Sequence, residues 1–340
     1  MMKALTLVAM AAGISVAAEF PSAEIRNNEI RAKLYLPDAK QGFYRSTRFD
    51  WSGVIASLEY KGHNYYGPWF KKITDVYDFG YDGDDVISAP FTAMIGPGEE
   101  YQTDGKALGW DEAKPGGTFI KIGVGVLRRP DESNYDHSKP YAIVDGGKWT
   151  VHKNRDSVEF VHEVNDPSSG YGYLYRKVVR LTSGKPQMVI EHALKNTGTK
   201  PIVTNMYNHN FLTLDNQAPG PDFTITVPFE LKPRRAPNQE LGEVRGNQIR
   251  YLKALENKDR MTTSATGFSD DPKDYDIRVE NRKLGVGVRA TCDRPLSNLN
   301  LWSIKSVLAV EPFITMRIDR GSDFTWKITY DYYTLSSDAR

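Results

Sequence analysis

Two short polar segments, far apart along the chain, contain residue types that could carry out acid–base chemistry. The first is Asn208-His209-Asn210, near the end of a run that is otherwise rich in strand-forming residues. Asparagine is a poor strand former, so a histidine between two asparagines indicates a role other than packing. The second is Glu311-Pro312, inside an apolar run. A histidine and a glutamate can together supply the protonated acid and the ionised base that proton-transfer reactions need near neutral pH.

Alternating apolar residues predict that both segments lie on β-strands. Met188 to Leu194 alternates with polar neighbours, and a turn leads to a second strand, Ile202 to Leu214, which carries His209. The strand around Glu311 is interrupted by Pro312, which cannot donate a ladder hydrogen bond. We therefore expect the glutamate at a strand end, an edge or a bulge, where its carboxylate reaches a cleft.

Similar alternation elsewhere predicts an all-β fold. It is clear over Tyr171 to Leu181 and over Phe324 to Tyr332, the last strand of the chain. The polar segments 71–117 and 232–275 are interpreted as mostly loop, with a short helix near Arg250 to Asn257 in the second. A chain of 340 residues can form one large all-β domain.

The histidine segment, KNTGTKPIVTNMYNHNF, resembles the middle of galactose mutarotase-like proteins, which include aldose 1-epimerases and sugar-phosphate epimerases. In that family, a strand ending in Asn-Thr-Gly/Ser precedes a strand carrying Asn-His and an aromatic residue. The Glu-Pro dipeptide, a turn and a final strand of alternating aromatics resemble the end of the same proteins. The resemblance implies a large antiparallel β-sandwich, a supersandwich, over residues 19–340. It also implies that His209 is a general acid and Glu311 a general base.

The reaction implied by this resemblance is the interconversion of sugar anomers. A base removes the proton of the anomeric hydroxyl while an acid protonates the ring oxygen, the ring opens, and closure on the other face reverses both transfers. We expect His209 and Glu311 to face each other across a cleft, with the carboxylate raising the pKa of the histidine. The chemistry needs no metal and no organic cofactor. Two alternatives remain open: a non-catalytic carbohydrate-binding protein, and a polysaccharide lyase or hydrolase on the same fold.

Further sugar contacts are predicted by residue type and position. Arginine forks bind hydroxyls or carboxylates, and tryptophan rings stack on the apolar faces of sugars. Aldose 1-epimerases carry another histidine beside a glycine in a cleft loop; no matching His-Gly pair is present here, and His137 is a better placed candidate than His63. The segment GPGEEY, residues 96–101, resembles the rim of the family's cleft. The predicted substrate contacts are Asn208, Arg48, Trp69, Arg128, His137 and Trp302.

Composition argues against several classes of function. The 44 basic and 43 acidic residues are spread along the chain, so no nucleic-acid footprint is indicated and carbohydrate is the expected partner. Cys292 is the only cysteine, which excludes an internal disulfide and cysteine-based metal sites, and we expect it to be buried. The aspartates between 75 and 85 lack the spacing of an EF-hand loop.

The first 18 residues have the pattern of a secretory signal peptide. Lys3 provides a positive start, Ala4 to Val16 is an apolar run too short to span a membrane, and Val16-Ala-Ala18 fits a cleavage site. We expect a mature chain that begins near Glu19, has no membrane span, and is periplasmic or secreted.

Overall fold

The structure of the protein, a computed structural model, describes residues 20–336. The predicted signal peptide, residues 1–18, lies outside the described residues. Within the described part, the helical structure is limited to two 3₁₀ turns, Leu214–Asn216 and Pro272–Asp274, and no helix is long and apolar enough to cross a membrane. The predicted all-β fold class is confirmed.

The strands in the described residues are numbered in chain order: β1 (Ser22–Arg26), β2 (Ile30–Tyr35), β3 (Val54–Tyr60), β4 (His63–Asn64), β5 (Lys72–Ile73), β6 (Phe79–Asp82), β7 (Asp85–Ser88), β8 (Gly96–Gln102), β9 (Thr118–Lys121), β10 (Gly125–Arg128), β11 (Ile143–Asp145), β12 (Lys148–Lys153), β13 (Ser157–Asp166), β14 (Tyr171–Leu181), β15 (Gln187–Asn196), β16 (Ile202–Leu212), β17 (Phe223–Thr226), β18 (Lys232–Arg235), β19 (Gly242–Arg245), β20 (Gln248–Tyr251), β21 (Arg260–Thr266), β22 (Asp276–Asn281), β23 (Val286–Cys292), β24 (Asn298–Ile304), β25 (Val307–Ile318) and β26 (Asp323–Thr334).

Two large antiparallel sheets form the body of the sandwich. One has ten strands in the order β12-β13-β14-β15-β26-β23-β22-β17-β20-β19, and the other has six in the order β18-β21-β24-β25-β16-β8. Three smaller sheets, β1–β4, β5–β7 and β9–β11, complete the described structure. The six-stranded sheet carries both predicted catalytic residues, on its adjacent strands β16 and β25.

The main core lies between the two large sheets, and strand alternation explains it. In β15, the alternate residues Met188, Ile190, His192 and Leu194 are buried, while Val189, Glu191 and Ala193 on the other face are half-buried. In β26, the alternate residues Trp326, Ile328, Tyr330 and Tyr332 are buried in the same way. Each large apolar side chain removed from water stabilises the fold by about 1.5–3 kcal/mol. The predicted faces of both strands are confirmed.

Four charged or titratable side chains lie inside this core and bond to one another: Asp50, Glu99, Lys177 and His192. The ammonium of Lys177 is 3.1 Å from a carboxylate oxygen of Glu99 and 3.3 Å from one of Asp50. Nε2 of His192 is 2.9 Å from Glu99. Burial alone raises the pKa of Glu99, but the charges of His192 and Lys177 outweigh it and lower that pKa to about 2. This interior network joins β8 of one sheet to β14 and β15 of the other.

The segment 232–275 differs from its prediction as mostly loop. It contains β18 to β21, and β18 and β19 are edge strands of the two large sheets. The expected helix near Arg250 to Asn257 is wrong, because β20 runs to Tyr251 and the chain then bends. Pro233 lies on the edge strand β18, where a residue without an N–H is tolerated. All four residues of β18 are exposed, so the alternation that identifies a strand is absent there.

Candidate active site

The pairing of β16 with β25 brings His209 and Glu311 together. Tyr207 pairs with Phe313 and Asn210 with Val310, so the register places His209 opposite Glu311. The backbone of Phe313 faces β24 rather than β16, because its carbonyl accepts from the Ser297 amide. By alternation, the His209 and Glu311 pair belongs to the non-hydrogen-bonded type, in which side chains lie closest. Nε2 of His209 is 3.2 Å from Oε1 of Glu311.

Pro312 opens a local gap between these two strands. Its missing N–H leaves the carbonyl of Asn208 without a ladder donor, and the side-chain amide of Asn210 lies 3.4 Å from that carbonyl. The same amide donates to the Val310 carbonyl across the gap, at 2.9 Å. The Asn-His-Asn segment is therefore fitted to the proline on the neighbouring strand. The prediction that Glu311 lies at a strand end, an edge or a bulge is wrong, since β25 is a central strand that continues past Pro312 on both sides and keeps the same register with β16.

Aromatic rings surround the imidazole of His209. It stacks on Phe211 with ring centres 3.9 Å apart, and the rings of Phe49 and Trp302 lie steeply inclined to it, with ring centres at 6.0 Å and 5.6 Å. Its side chain is only 7% exposed. Burial, with a smaller contribution from the positive charge of Arg48, lowers the pKa of His209 well below its usual 6.5. The expectation that the carboxylate raises this pKa is therefore wrong: desolvation of the ring decides the direction.

Burial acts in the opposite direction on the carboxylate of Glu311. Its side chain is 12% exposed, and burial raises its pKa to about 7, although Arg48 and a weak hydrogen bond from Asn300 at 3.4 Å oppose the rise. With the histidine pKa low and the glutamate pKa at about 7, the pair holds one proton between these two pKa values. A pair that shares one proton across 3.2 Å can give a proton at one atom and take one at the other.

A second buried cluster supports the wall of the site next to His209. The carboxylate of Glu100 accepts hydrogen bonds from the guanidinium of Arg48 at 2.9 Å and from the ammonium of Lys121 at 2.8 Å. The hydroxyl of Tyr207 donates to the same carboxylate and accepts from Arg48. Burial raises the pKa of Glu100, but the two cations outweigh it and hold that pKa far below its usual value. Glu99 and Glu100 are neighbours on β8, so one points into the sandwich core and the other towards the site.

These groups lie at a cleft of about 250 Å³. Pockets for drug-sized ligands are larger, roughly 300–1,000 Å³, so this cleft suits a ligand smaller than those. The floor is formed by strands of the six-stranded sheet and the walls by loops. The residues that line it are Arg48, Asp78, Thr92, His137, His209, Phe211, Arg235, Arg260, Thr262, Asn300, Leu301, Trp302 and Glu311. Among residues 20–336, no group of three histidine, cysteine, aspartate or glutamate side chains is arranged to hold a metal ion.

Five of the eight residues singled out in the sequence line this cleft. These are His209, Glu311, Arg48, His137 and Trp302. His137 lies on the loop between β10 and β11, and the other candidate, His63, is instead bound to Asp215, with Nδ1 2.6 Å from its carboxylate.

The other three predicted contacts lie elsewhere. Trp69 is buried behind the cleft, stacked on Phe211 with ring centres 5.7 Å apart. Arg128 is exposed and donates to the carbonyl of Gly116. Asn208 points to the opposite face of β16 from its neighbour His209, and its amide donates to Glu99 inside the sandwich at 3.3 Å. Period-2 alternation makes this last outcome necessary, because adjacent strand residues cannot share a face.

Several cleft residues were missed in the sequence. Arg235 and Arg260 belong to the segment interpreted as loop, and Asn300 is the cross-strand partner of Glu311. Asn300 could have been found from its position in SNLNLW, where Asn298, Asn300 and Trp302 alternate with leucines and so share the polar face of a strand. For the two arginines, no local signal distinguishes them from surface residues.

Replacing Glu311 with glutamine is expected to stabilise the protein at alkaline pH. The folded-state pKa of about 7 lies above the usual 4.5, so between these values the unfolded chain releases its proton first and the stability of the wild type falls as pH rises. The full difference is about 3 kcal/mol, reached above pH 7. Thermal unfolding of wild type and Glu311→Gln at pH 5 and pH 8 tests this. A similar melting-temperature difference at both pH values would contradict it.

Comparison with known proteins shows the fold. No protein-family model matches the sequence, and neither does any curated protein. The structure is similar to that of a putative aldose 1-epimerase from Escherichia coli K12, at 11% identity and a TM-score of 0.51, covering 92% of this chain and 99% of that one. It is also similar to a galactose mutarotase-like protein from Lactobacillus casei, at 13% identity and a TM-score of 0.52, covering 92% of this chain and 100% of that one. An aldose epimerase homologue from C. elegans is similar at 14% identity and a TM-score of 0.52, covering 93% of this chain and 99% of that one.

These similarities extend over nearly the whole length of each chain, as expected if the chains share the predicted antiparallel sandwich. At such low identity they show the architecture and not the chemistry. The resemblance first noted in the histidine and glutamate segments is supported by the arrangement of the whole chain: this protein has the galactose mutarotase-like fold.

Proposed function

We propose that this protein is a carbohydrate-active enzyme that interconverts the anomers of an aldose, with His209 and Glu311 carrying the protons. The observation that carries the proposal is their contact: Nε2 and Oε1 lie 3.2 Å apart at the floor of a sugar-sized cleft. The ring oxygen and the anomeric hydroxyl oxygen are bonded to the same carbon. Two groups that serve them must therefore lie side by side, which a cross-strand pair achieves.

Both forms of the one-proton pair take part in the proposed cycle. Ring opening starts with the proton on His209: Glu311 takes the proton of the anomeric hydroxyl while His209 gives its proton to the ring oxygen. The pair then holds its proton on Glu311. After the carbonyl carbon turns, closure reverses both transfers and restores the starting form. The form with neutral histidine and protonated glutamate, which the pKa values favour in the free protein, is the one that closes the ring.

The proposed cycle predicts a specific pH profile. Above pH 7 the pair loses its single proton, so kcat/KM, which reports the free enzyme, is expected to fall about tenfold for each further pH unit. Below pH 7, kcat/KM stays level until the pair takes up a second proton, which happens well below the usual pKa of histidine. Initial rates by polarimetry, corrected for the uncatalysed reaction at each pH, provide the profile. A corrected kcat/KM that keeps rising through pH 9 would rule out the shared proton.

A panel of sugars distinguishes this proposal from the alternatives. Anomer exchange accelerated by the protein supports the enzyme. Calorimetric binding of a sugar without accelerated exchange assigns a binding protein, and shortening of a polysaccharide assigns a lyase or hydrolase on the same fold.

We also propose that the protein is exported, to the periplasm or beyond, because residues 1–18 have the pattern of a signal peptide. Amino-terminal sequencing of the protein recovered from the native host tests this. A mature chain beginning near Glu19 is expected, and an amino terminus at Met1 in the cytoplasm would contradict it.

A further inference from the structure

We propose that the substrate of this cleft is an anionic sugar, whose negative group sits on the part of the ring remote from the anomeric carbon and binds Arg235 and Arg260. The inference rests on the proposed function, because it uses the position of the His209–Glu311 pair to orient the ring. The anionic group is a carboxylate, a phosphate ester or a sulfate ester, which share the oxygen acceptors and the charge that a guanidinium fork binds.

Strand register places Arg235 in the same cross-strand row as Glu311 of the proposed catalytic pair. Glu311 on β25 is opposite Asn300 on β24, which is opposite Ser264 on β21, which is opposite Arg235 on β18. Three strand spacings of 4.7–4.9 Å separate the first backbone from the last by roughly 14 Å. The long side chain of Arg235 extends across part of this distance. The side chains of Arg235 and Glu311 both line the cleft. The guanidinium is therefore placed at the far side of a ring whose anomeric carbon is at Glu311.

Arg260 reaches the same region from the start of β21. The burial pattern of β21 puts Arg260, Thr262 and Ser264 on its open face, while the residues between them are buried. Both Arg260 and Thr262 line the cleft, and Thr262 is opposite Trp302. Two cations thus lie on the β18–β21 side, while the proton-transferring pair lies on the β16–β25 side.

The two guanidiniums are uncommitted in the described structure, and this separates them from Arg48. Within residues 20–336, neither Arg235 nor Arg260 makes a side-chain hydrogen bond or ion pair, whereas Arg48 is bound to Glu100 at 2.9 Å and to Tyr207 at 3.2 Å. Arg48 serves the wall of the cleft. The other two are free to bind a ligand.

The charges facing the cleft leave an excess of positive charge. The carboxylate of Glu100 is shared by Arg48 and Lys121, and Asp78 lies 3.9 Å from Arg48 and accepts from Thr92. Burial raises the pKa of Glu311 so that it retains its proton up to about pH 7, although the charge of Arg235 reaches Glu311 and opposes the rise. Among residues 20–336, no carboxylate therefore forms an ion pair with Arg235 or Arg260. A neutral sugar would leave this charge unused, whereas an anionic one neutralises it.

Calorimetry with four acids and their two neutral parents tests the proposal. The ligands are glucuronate, glucose 6-phosphate and glucose 6-sulfate against glucose, with galacturonate against galactose, at low ionic strength. We expect at least one acid to bind about tenfold or more tightly than its parent, with the preference reduced by added salt. Preference for a uronate identifies a carboxylate substrate, and preference for an ester identifies a sugar phosphate or sulfate. Equal or tighter binding of the neutral parents, or no binding by any acid, would overturn the proposal.

The arginines are tested by Arg235→Gln and Arg260→Gln. Each is expected to weaken binding of the preferred acid about 10- to 100-fold, and much more than binding of the neutral parent, since a hydrogen bond to a charged group is lost. Arg234→Gln is the matched control, because Arg234 is the exposed neighbour on β18, bonds to Asn298 and does not line the cleft. An acid preference that survives both cleft substitutions would overturn the assignment.

Failure of this proposal differs from failure of the proposed function. Exchange that is catalysed for neutral sugars alone keeps the enzyme and removes the anionic substrate. Arginine-dependent binding of an acid whose anomers exchange no faster with wild type than with Glu311→Gln keeps the anion site and removes the catalysis.

Discussion

His209→Ala is expected to lower kcat/KM for anomer exchange by about 100- to 10,000-fold. The substitution removes the imidazole that is proposed to exchange a proton with the ring oxygen, and it leaves Glu311 without its partner 3.2 Å away. Polarimetry on the best sugar of the panel measures the effect. His152→Ala is a suitable control, because that histidine is exposed on β12, away from the cleft. Equal activity of wild type and His209→Ala would remove the histidine from the mechanism.

The pair is expected to act as a unit. Glu311→Gln keeps the shape of the side chain but cannot accept the hydroxyl proton, so a loss of the same order is expected. The double variant His209→Ala/Glu311→Gln should be little worse than either single variant, because removal of one member already disables the other. Losses that multiply in the double variant would indicate two independent roles and contradict the shared proton.

Lys177→Met is expected to destabilise the fold by about 3–5 kcal/mol at neutral pH. Lys177 is the cation between Asp50 and Glu99, and all three side chains are within 1% of complete burial. Removal of the ammonium leaves the two carboxylates buried with hydrogen bonds from neutral groups such as the Tyr175 hydroxyl, and with His192, which contacts Glu99, as the one remaining basic side chain of the network. Because protonation neutralises stranded carboxylates, the loss should shrink as the pH is lowered.

Urea denaturation at pH 7.5 and pH 5 measures this difference. Lys148→Met is the control, since Lys148 is exposed and pairs only loosely with Glu163 at 3.6 Å, and such surface pairs contribute about 0–1 kcal/mol. A loss for Lys177→Met no greater than that of the control would mean that the interior network does not stabilise the sandwich.

The residues proposed to do the chemistry were identifiable in the sequence because they break local rules. A histidine between two asparagines and a glutamate before a proline are both unsuited to the middle of a strand. Their convergence follows from the register of β16 and β25, in which the gap left by Pro312 is bridged by the amide of Asn210. The alternation of β15 and β26 similarly predicts the core faces that the structure shows.

What the sequence could not supply depends on tertiary neighbours. The direction of the His209 pKa is set by Phe49, Phe211 and Trp302, which come from a loop and two strands, so no local pattern predicts it. Trp69 and Trp302 look alike in sequence, yet one is packed behind the cleft and the other lines it.

Local sequence also fails to identify charged cleft residues on strands whose sequence pattern does not identify them as strands. Arg235 lies on an edge strand with no alternation, and Arg260 begins a strand inside a polar segment interpreted as loop. Their place in the cleft emerges only when β18 and β21 pair.

We propose, as the central point, that His209 and Glu311 exchange protons with the anomeric centre of a sugar bound in the cleft. Two-dimensional exchange NMR measures the rate at which the α and β anomers of each sugar in the panel interconvert, with and without wild-type protein. The account predicts that at least one sugar exchanges much faster with wild type than with Glu311→Gln. Exchange of every sugar in the panel at the uncatalysed rate in the presence of folded wild-type protein would contradict it.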